Sequence, residues 1–294
     1  MLRNHFAASL AAVVLLAGAT AALAQTPTVD SRGAINSASF VTGPVAAGSL
    51  VSIFGSNFAT ANTLASTIPL SVSLANVTVT FNGTKAPISG VFHDATNGDQ
   101  INVQVPWEVQ PVGAPTTAQM VVTVGNNSSA SVPVGIAPAA PGIFAIKLAN
   151  GQVVGSGSGQ AIAYGNTDGQ IAAPAGAITG LATHAAKVND PNTLVILVTG
   201  LGPVDTTVND GDVPGVIISN CLTKPTVIVG STPAQVSFCG MVGRDGTGKA
   251  FGFVGVYQLN IVIAPGTQTG DAVPLTLQMN GVSSQPGVTI AVQN

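Results

Sequence analysis

Val77-Thr78-Val79-Thr80-Phe81-Asn82-Gly83 is the stretch on which the fold turns. Its apolar residues alternate with threonines, so one face of a pleated strand looks to a core and the other to water. Asn82-Gly83 follows, a pair that tolerates positive φ and closes a two-residue hairpin. Upstream, Leu50-Val51-Ser52-Ile53-Phe54-Gly55 alternates poorly, as a strand covered on both faces does. Downstream, strands are expected at Ile88 to Phe92, Ile101 to Val105, Met120 to Val124 and Val132 to Ile136. Six or seven strands in the first half suffice for a sandwich.

The second half repeats this order. Leu194 through Gly200 corresponds to Leu50 through Ser56, and Thr226 through Gly230 to Val79 through Gly83. Tyr257 through Ile261 corresponds to Asp99 through Val103, and Asn280 through Ser284 to Gly125 through Ser129. An offset that drifts through loop insertions suits a duplicated domain better than a short solenoid repeat. The expected fold is all-β, with two tandem β-sandwiches at residues 33–145 and 186–294. Between them, residues 146–185 read as a Gly/Ala/Ser-rich connector with one hairpin around Asn166 to Gly169, loosest at Gly155 to Gly159.

Composition excludes several alternatives. Of 294 residues, 35 are Gly and 19 Pro, and Glu occurs once, at Glu108, which leaves no material for a helical bundle. Only 6% of residues are charged, against roughly 25% in an average soluble protein. The formal net charge is -3 and there is no basic cluster, so nucleic acid is not the expected partner.

The first 24 residues read as a cleaved signal peptide. Arg3 and His5 precede an apolar and small-residue run from Phe6 to Ala22, and Ala22-Leu23-Ala24 has the small-x-small pattern of a cleavage site. Cleavage after Ala24 would start the mature chain at Gln25. No later segment has the roughly 20 apolar residues of a membrane span. The expected location is secreted, periplasmic or on the cell surface.

Searching for chemistry yields little. No phosphate-loop lysine follows Gly155-Ser156-Gly157-Ser158-Gly159, and no Gly-x-Ser-x-Gly elbow occurs. A hydrolase would have to be built from His93, Asp94 and Glu108, a thin supply for paired acid–base work. Asp205, Asn209, Asp210 and Asp212 crowd into one turn, which reads either as tight-turn chemistry or as oxygen ligands for calcium. Trp107, the only tryptophan, either stacks on a sugar ring or plugs the core edge or the interface between sandwiches. A carbohydrate- or polymer-binding protein would use Trp107, Tyr164 or Tyr257. Cys221 and Cys239, the only cysteines, are expected to form a disulfide in an oxidising compartment, two buried free thiols being the alternative.

Gly48 through Phe58 resembles the opening strand of TIG/IPT immunoglobulin-like domains. The mature chain from about residue 33 to 294 also resembles a family of exported acidobacterial proteins, often found as a C-terminal module. The matching segments are Asn36-Ser37-Ala38-Ser39-Phe40, Gln100 through Glu108, Pro141-Gly142-Ile143-Phe144, Thr199-Gly200-Leu201-Gly202-Pro203-Val204 and Tyr257-Gln258-Leu259-Asn260. The resemblance implies immunoglobulin-like sandwiches and export, and carries no catalytic residue, cofactor or metal with it. The function expected is therefore a non-enzymatic exported module that binds, spaces or presents, its partner an unidentified protein or polysaccharide.

Overall fold

The computed structural model describes residues 25–109, 116–149 and 152–294; the expected leader, 1–24, lies outside them. The described residues are strands and turns, with a single 3-10 turn at Trp107–Val109. No described helix is long and apolar enough to cross a membrane.

Among the described residues the first sandwich has ten strands: β1 (Thr28–Asn36), β2 (Leu50–Ser56), β3 (Thr63–Leu64), β4 (Val77–Phe81), β5 (Thr84–Lys85), β6 (Ile88–Asp94), β7 (Gly98–Gln104), β8 (Thr116–Val124), β9 (Asn127–Ser128) and β10 (Val132–Ile136). One sheet runs β1-β2-β7-β6-β3 and the other β10-β8-β4-β5, with β9 beside β8. Val77, Val79 and Phe81 are buried while Thr78 and Thr80 are not, the alternation read in the sequence. Asn82 and Gly83 take φ of 50° and 84°, as their hairpin requires. Val51 and Ile53 of β2 enter the core, and Ser52, on the opposite face, is also covered.

The second half contains β11 (Gly142–Ile143), β12 (Ala145–Ala149), β13 (Gln152–Ser156), β14 (Gly159–Ala161), β15 (Ala163–Gly165), β16 (Ala186–Lys187), β17 (Leu194–Thr199), β18 (Ser219–Asn220), β19 (Thr226–Val229), β20 (Thr232–Met241), β21 (Tyr257–Val262), β22 (Gly270–Met279), β23 (Val282–Ser283) and β24 (Val288–Gln293). Its ladder runs β11-β17-β21-β20-β19-β22-β24-β14-β12-β13. β20 bonds β19 near its start and β21 beyond, with a register shift between Val236 and Phe238, so one long strand serves both faces.

Residues 146–185 are not a loose connector. β12 pairs with β13 and β14, β14 runs parallel to β24, and β15 pairs with β17. The expected turn around Asn166 to Gly169 is present, closed by bonds from the Gly165 and Gly169 amides to the Gln170 and Gly165 carbonyls. Two of the glycines in this segment serve close approach: a Cβ on Gly157 would stand 2.3 Å from the Ser39 carbonyl oxygen, and one on Gly159 2.9 Å from that of Ile146.

The two halves share one pairing scheme. β2 bonds β7 and β17 bonds β21; β4 bonds β8 and β19 bonds β22; β8 bonds β10 and β22 bonds β24. Side chains repeat as well. Ser129 and Ser284 accept from the amides of Val122 and Leu277, and the Gln100 and Gln258 amides donate to Asn102 and Asn260. Two expected correspondences are out by one residue. Leu194 sits where Val51 does, not Leu50, because both pair with the matching residue of the next strand, Ile261 and Val103. Val227 likewise corresponds to Val79, since these are the buried members of their strands. A slip of one would turn the core face outward.

Candidate functional site at the joint between the sandwiches

The segments that carry the family resemblance meet at one place, the joint. Asn36, at the end of β1, is almost fully buried. Its Oδ1 accepts from the Ala38 and Ser39 amides at 2.9 and 3.1 Å, and its Nδ2 donates to the Ala140 carbonyl at 2.9 Å. Gly142 and Gly200 make room: a Cβ on the first would stand 2.4 Å from Asn36 Oδ1, and one on the second 2.0 Å from the Ala140 oxygen. Buried Thr199 accepts from the Leu50 amide at 3.0 Å and donates to the Gly255 carbonyl at 2.7 Å. Gln285 clasps Ile143 through both its amide and its carbonyl and reaches Ala38 at 3.5 Å.

A second group of contacts lies at the far end of β7. Gln104, fully buried, accepts from the Gly211 amide at 2.6 Å, and Gly211 in turn accepts from the Leu70 amide at 2.7 Å. The Trp107 amide donates to Asp210 Oδ1 at 3.0 Å. The indole packs against the cores of both sandwiches and lies on Gly48, where a Cβ would come within 2.1 Å of Cη2. Its Nε1 is buried and has no hydrogen-bond partner among the described residues. Burial pushes the Asp210 carboxyl up to about 6; the bond from Trp107 opposes this and the neighbouring Glu108 carboxyl adds to it. These are directional, desolvated contacts from several strands and loops, so they fix the two sandwiches in one relative orientation.

The other predicted residues are dispersed. Cys221 and Cys239 form a disulfide with Cα atoms 5.5 Å apart, tying the loop after β18 to β20. Trp107 is a half-buried part of the joint. Tyr257 is fully buried and donates to the Gly202 carbonyl, so it cannot touch a ligand; Tyr164 is half-buried on β15. His93 pairs with Asp99 rather than Asp94, at 2.7 Å. Glu108 follows the opposite end of β7, and the five steps from Asp99 to Gln104 span about 17 Å at roughly 3.3 Å per residue. His93, Asp94 and Glu108 therefore do not converge.

The acids of the 205–212 turn point to different partners. Asp205 holds Asn220, Asp210 holds Trp107, and Asp212 pairs with Arg244 at 2.5 Å. Among the described residues no group of three or more His, Cys, Asp or Glu could hold a metal. Sequence reasoning missed Asn36, Gln104, Thr199 and Gln285, whose partners lie about a hundred or more residues away; the one signal was that most of them, Gln285 excepted, sit inside the resemblance segments.

Comparison with known proteins shows an IPT/TIG domain at residues 34–137. No curated protein matches the sequence. Among solved structures, the Plexin A4 extracellular region is similar at 13% identity over 99% of this chain and 20% of that one, with a TM-score of 0.27. The Bacteroides ovatus mixed-linkage glucan utilization locus protein SGBP-B, in complex with a mixed-linkage heptasaccharide, is similar at 10% identity over 92% of this chain and 46% of that one, TM-score 0.27. Domains 4–9 of the surface layer protein SbsC are similar at 17% identity, 92% and 31% coverage, TM-score 0.21. The chain thus spans about a fifth of the plexin structure and less than half of the other two.

Proposed function

We propose that this IPT/TIG-containing chain is a rigid, non-catalytic two-sandwich module that acts outside the cytosol, holding or presenting a binding surface. The observation that carries this reading is the joint: its most constrained residues, Asn36, Gln104, Trp107, Thr199 and Gly200, are spent on keeping two sandwiches in register with each other. An enzyme places such residues around a reacting atom. A spacer places them where its parts would otherwise swing, since domain motion is the default for small interfaces. The disulfide fits an oxidising compartment, in keeping with the expected cleavage after Ala24.

The polysaccharide reading loses two of its aromatic platforms, because Tyr257 is in the core and Trp107 in the joint. Small-angle scattering of the wild type and of Gln104→Ala/Asp210→Ala tests the proposal. The wild type should scatter as one rigid elongated body and the variant as two bodies with a spread of separations. Hydrolysis of a polysaccharide, ester or peptide substrate that is lost on His93→Ala would overturn it.

A further inference from the structure

At the end of the first sandwich away from the joint, a groove of about 670 Å³ opens between the loop after β2, the turn before β4 and the β6–β7 hairpin. One buried carboxylate organises it. Asp99, 4% exposed, accepts through Oδ2 from the Phe58 and Ala59 amides at 2.7 and 3.3 Å, and through Oδ1 from His93 Nδ1 at 2.7 Å. The opposite wall is pinned as well, the His93 amide donating to Asn62 Oδ1 at 2.8 Å.

A carboxylate only accepts, so in the neutral imidazole the proton stands on Nδ1 and Nε2 presents its lone pair. Nε2 has no hydrogen-bond partner among the described residues, while the ring lines the groove. Ser56, Asn57, Thr60, Thr63 and Asn76 also line the groove, as does the exposed Asp94. Hydrogen bonds from the Asn97 side chain and the Thr96 and Asn97 amides hold the exposed Asp94 carboxyl below its ordinary range, so it stays ionised. Among the described residues no Lys or Arg lines the groove. With the ring neutral, a fixed acceptor, an anion and uncharged hydroxyls and amides, with no Lys or Arg among the described residues, suit a ligand that donates hydrogen bonds and carries positive charge.

We infer that this groove binds an ammonium-bearing ligand, a lysine-type side chain of a partner polypeptide or an amino sugar, with His93 Nε2 accepting from the ammonium and Asp94 opposing its charge. The inference names a ligand class for the non-catalytic module proposed above and rests on that reading.

The test is an NMR titration of the intact protein with Nα-acetyl-lysine amide, a lysine-containing peptide and a glucosamine oligosaccharide. Nα-acetyl-norleucine amide and a neutral glucose oligosaccharide serve as controls. The amines should shift the His93 ring and the Asn57 and Thr60 amides saturably, and the controls should not; the better amine identifies the source. His93→Ala should weaken binding by about tenfold, the loss of one charge-assisted bond. Asp94→Asn, on a fully exposed side chain that cannot upset the core, should weaken it severalfold and remove its salt dependence. No saturable shift, equal shifts with the neutral probes, or unchanged binding in a folded His93→Ala protein would overturn the site and leave the spacer reading intact. Product signals growing in from any probe would instead overturn the non-catalytic reading on which the site rests.

Discussion

Asp99 and Tyr257 stand at the same point of β7 and β21 and tether the same loop with opposite hydrogen-bond polarity. Asp99 accepts from the amides of Phe58 and Ala59, while the Tyr257 phenol donates to the carbonyl of Gly202. Both tethers hold a loop whose leading apolar residue, Phe58 or Leu201, is fully buried. In the first sandwich this device leaves a buried carboxyl group under a groove; in the second it leaves only core.

Tyr257→Phe should therefore cost stability without altering the fold. Removing the buried phenol oxygen strands the Gly202 carbonyl, for a loss of roughly 1–3 kcal/mol. Burial holds the phenol far above its ordinary range, so this contribution should be constant across the accessible pH range. Urea unfolding of the variant at neutral and alkaline pH checks both statements.

The joint should tighten on acidification. Asp210 titrates near 6 in the fold against 3.8 unfolded, so the folded state takes up a proton first. The stabilisation is complete below 3.8 and is lost as pH rises through about 6. Urea midpoints should increase from pH 7 to pH 5 in the wild type, and less so in Asp210→Asn, which keeps the acceptor for the Trp107 amide. Equal slopes in the two proteins would refute this.

Gly48→Ala should damage the joint by about 2 kcal/mol or more. Gly48 has φ +75°, and the added Cβ falls on the indole ring. Because the clash, though not the backbone strain, is with Trp107, the double variant Gly48→Ala/Trp107→Ala should lose less than the sum of the single variants. Denaturation followed by circular dichroism measures this independently of the tryptophan signal.

Cys221→Ser/Cys239→Ser should lower stability by about 3 kcal/mol, the chain-entropy value for a loop of this size, the cysteines being 18 residues apart in sequence. Under non-reducing conditions the intact protein should weigh two hydrogens less than after reduction, with no thiol open to alkylation.

The strands were legible wherever one periodicity governed them. Val77 to Phe81 and Val132 to Ile136 lie where alternation or β-branching put them. β1 was not, because its sequence contains Asp30, Arg32 and Gly33, which occupy a bulge between Val29 and Ala34. The one-residue slips at Leu194 and Thr226 arose in apolar runs, where neighbouring residues are alike and only burial tells the faces apart. In sequence the segment 146–185 reads as a connector because small residues look the same whether they supply freedom or let backbones approach. The joint was the least legible: Gln104 meets Gly211, and Asn36 meets Ala140, across more than a hundred residues. Composition has no signal for such pairs.

The Cys221–Cys239 bond also bears on what happens if the protein is pulled from its ends. The linked positions are 18 residues apart in sequence, and an extended chain spans roughly 3.5 Å per residue, so about 60 Å of chain cannot be released under tension. The second sandwich would lengthen less than its residue count implies. In a force–extension trace its unfolding step would be shortened by that amount, and reduction would restore it.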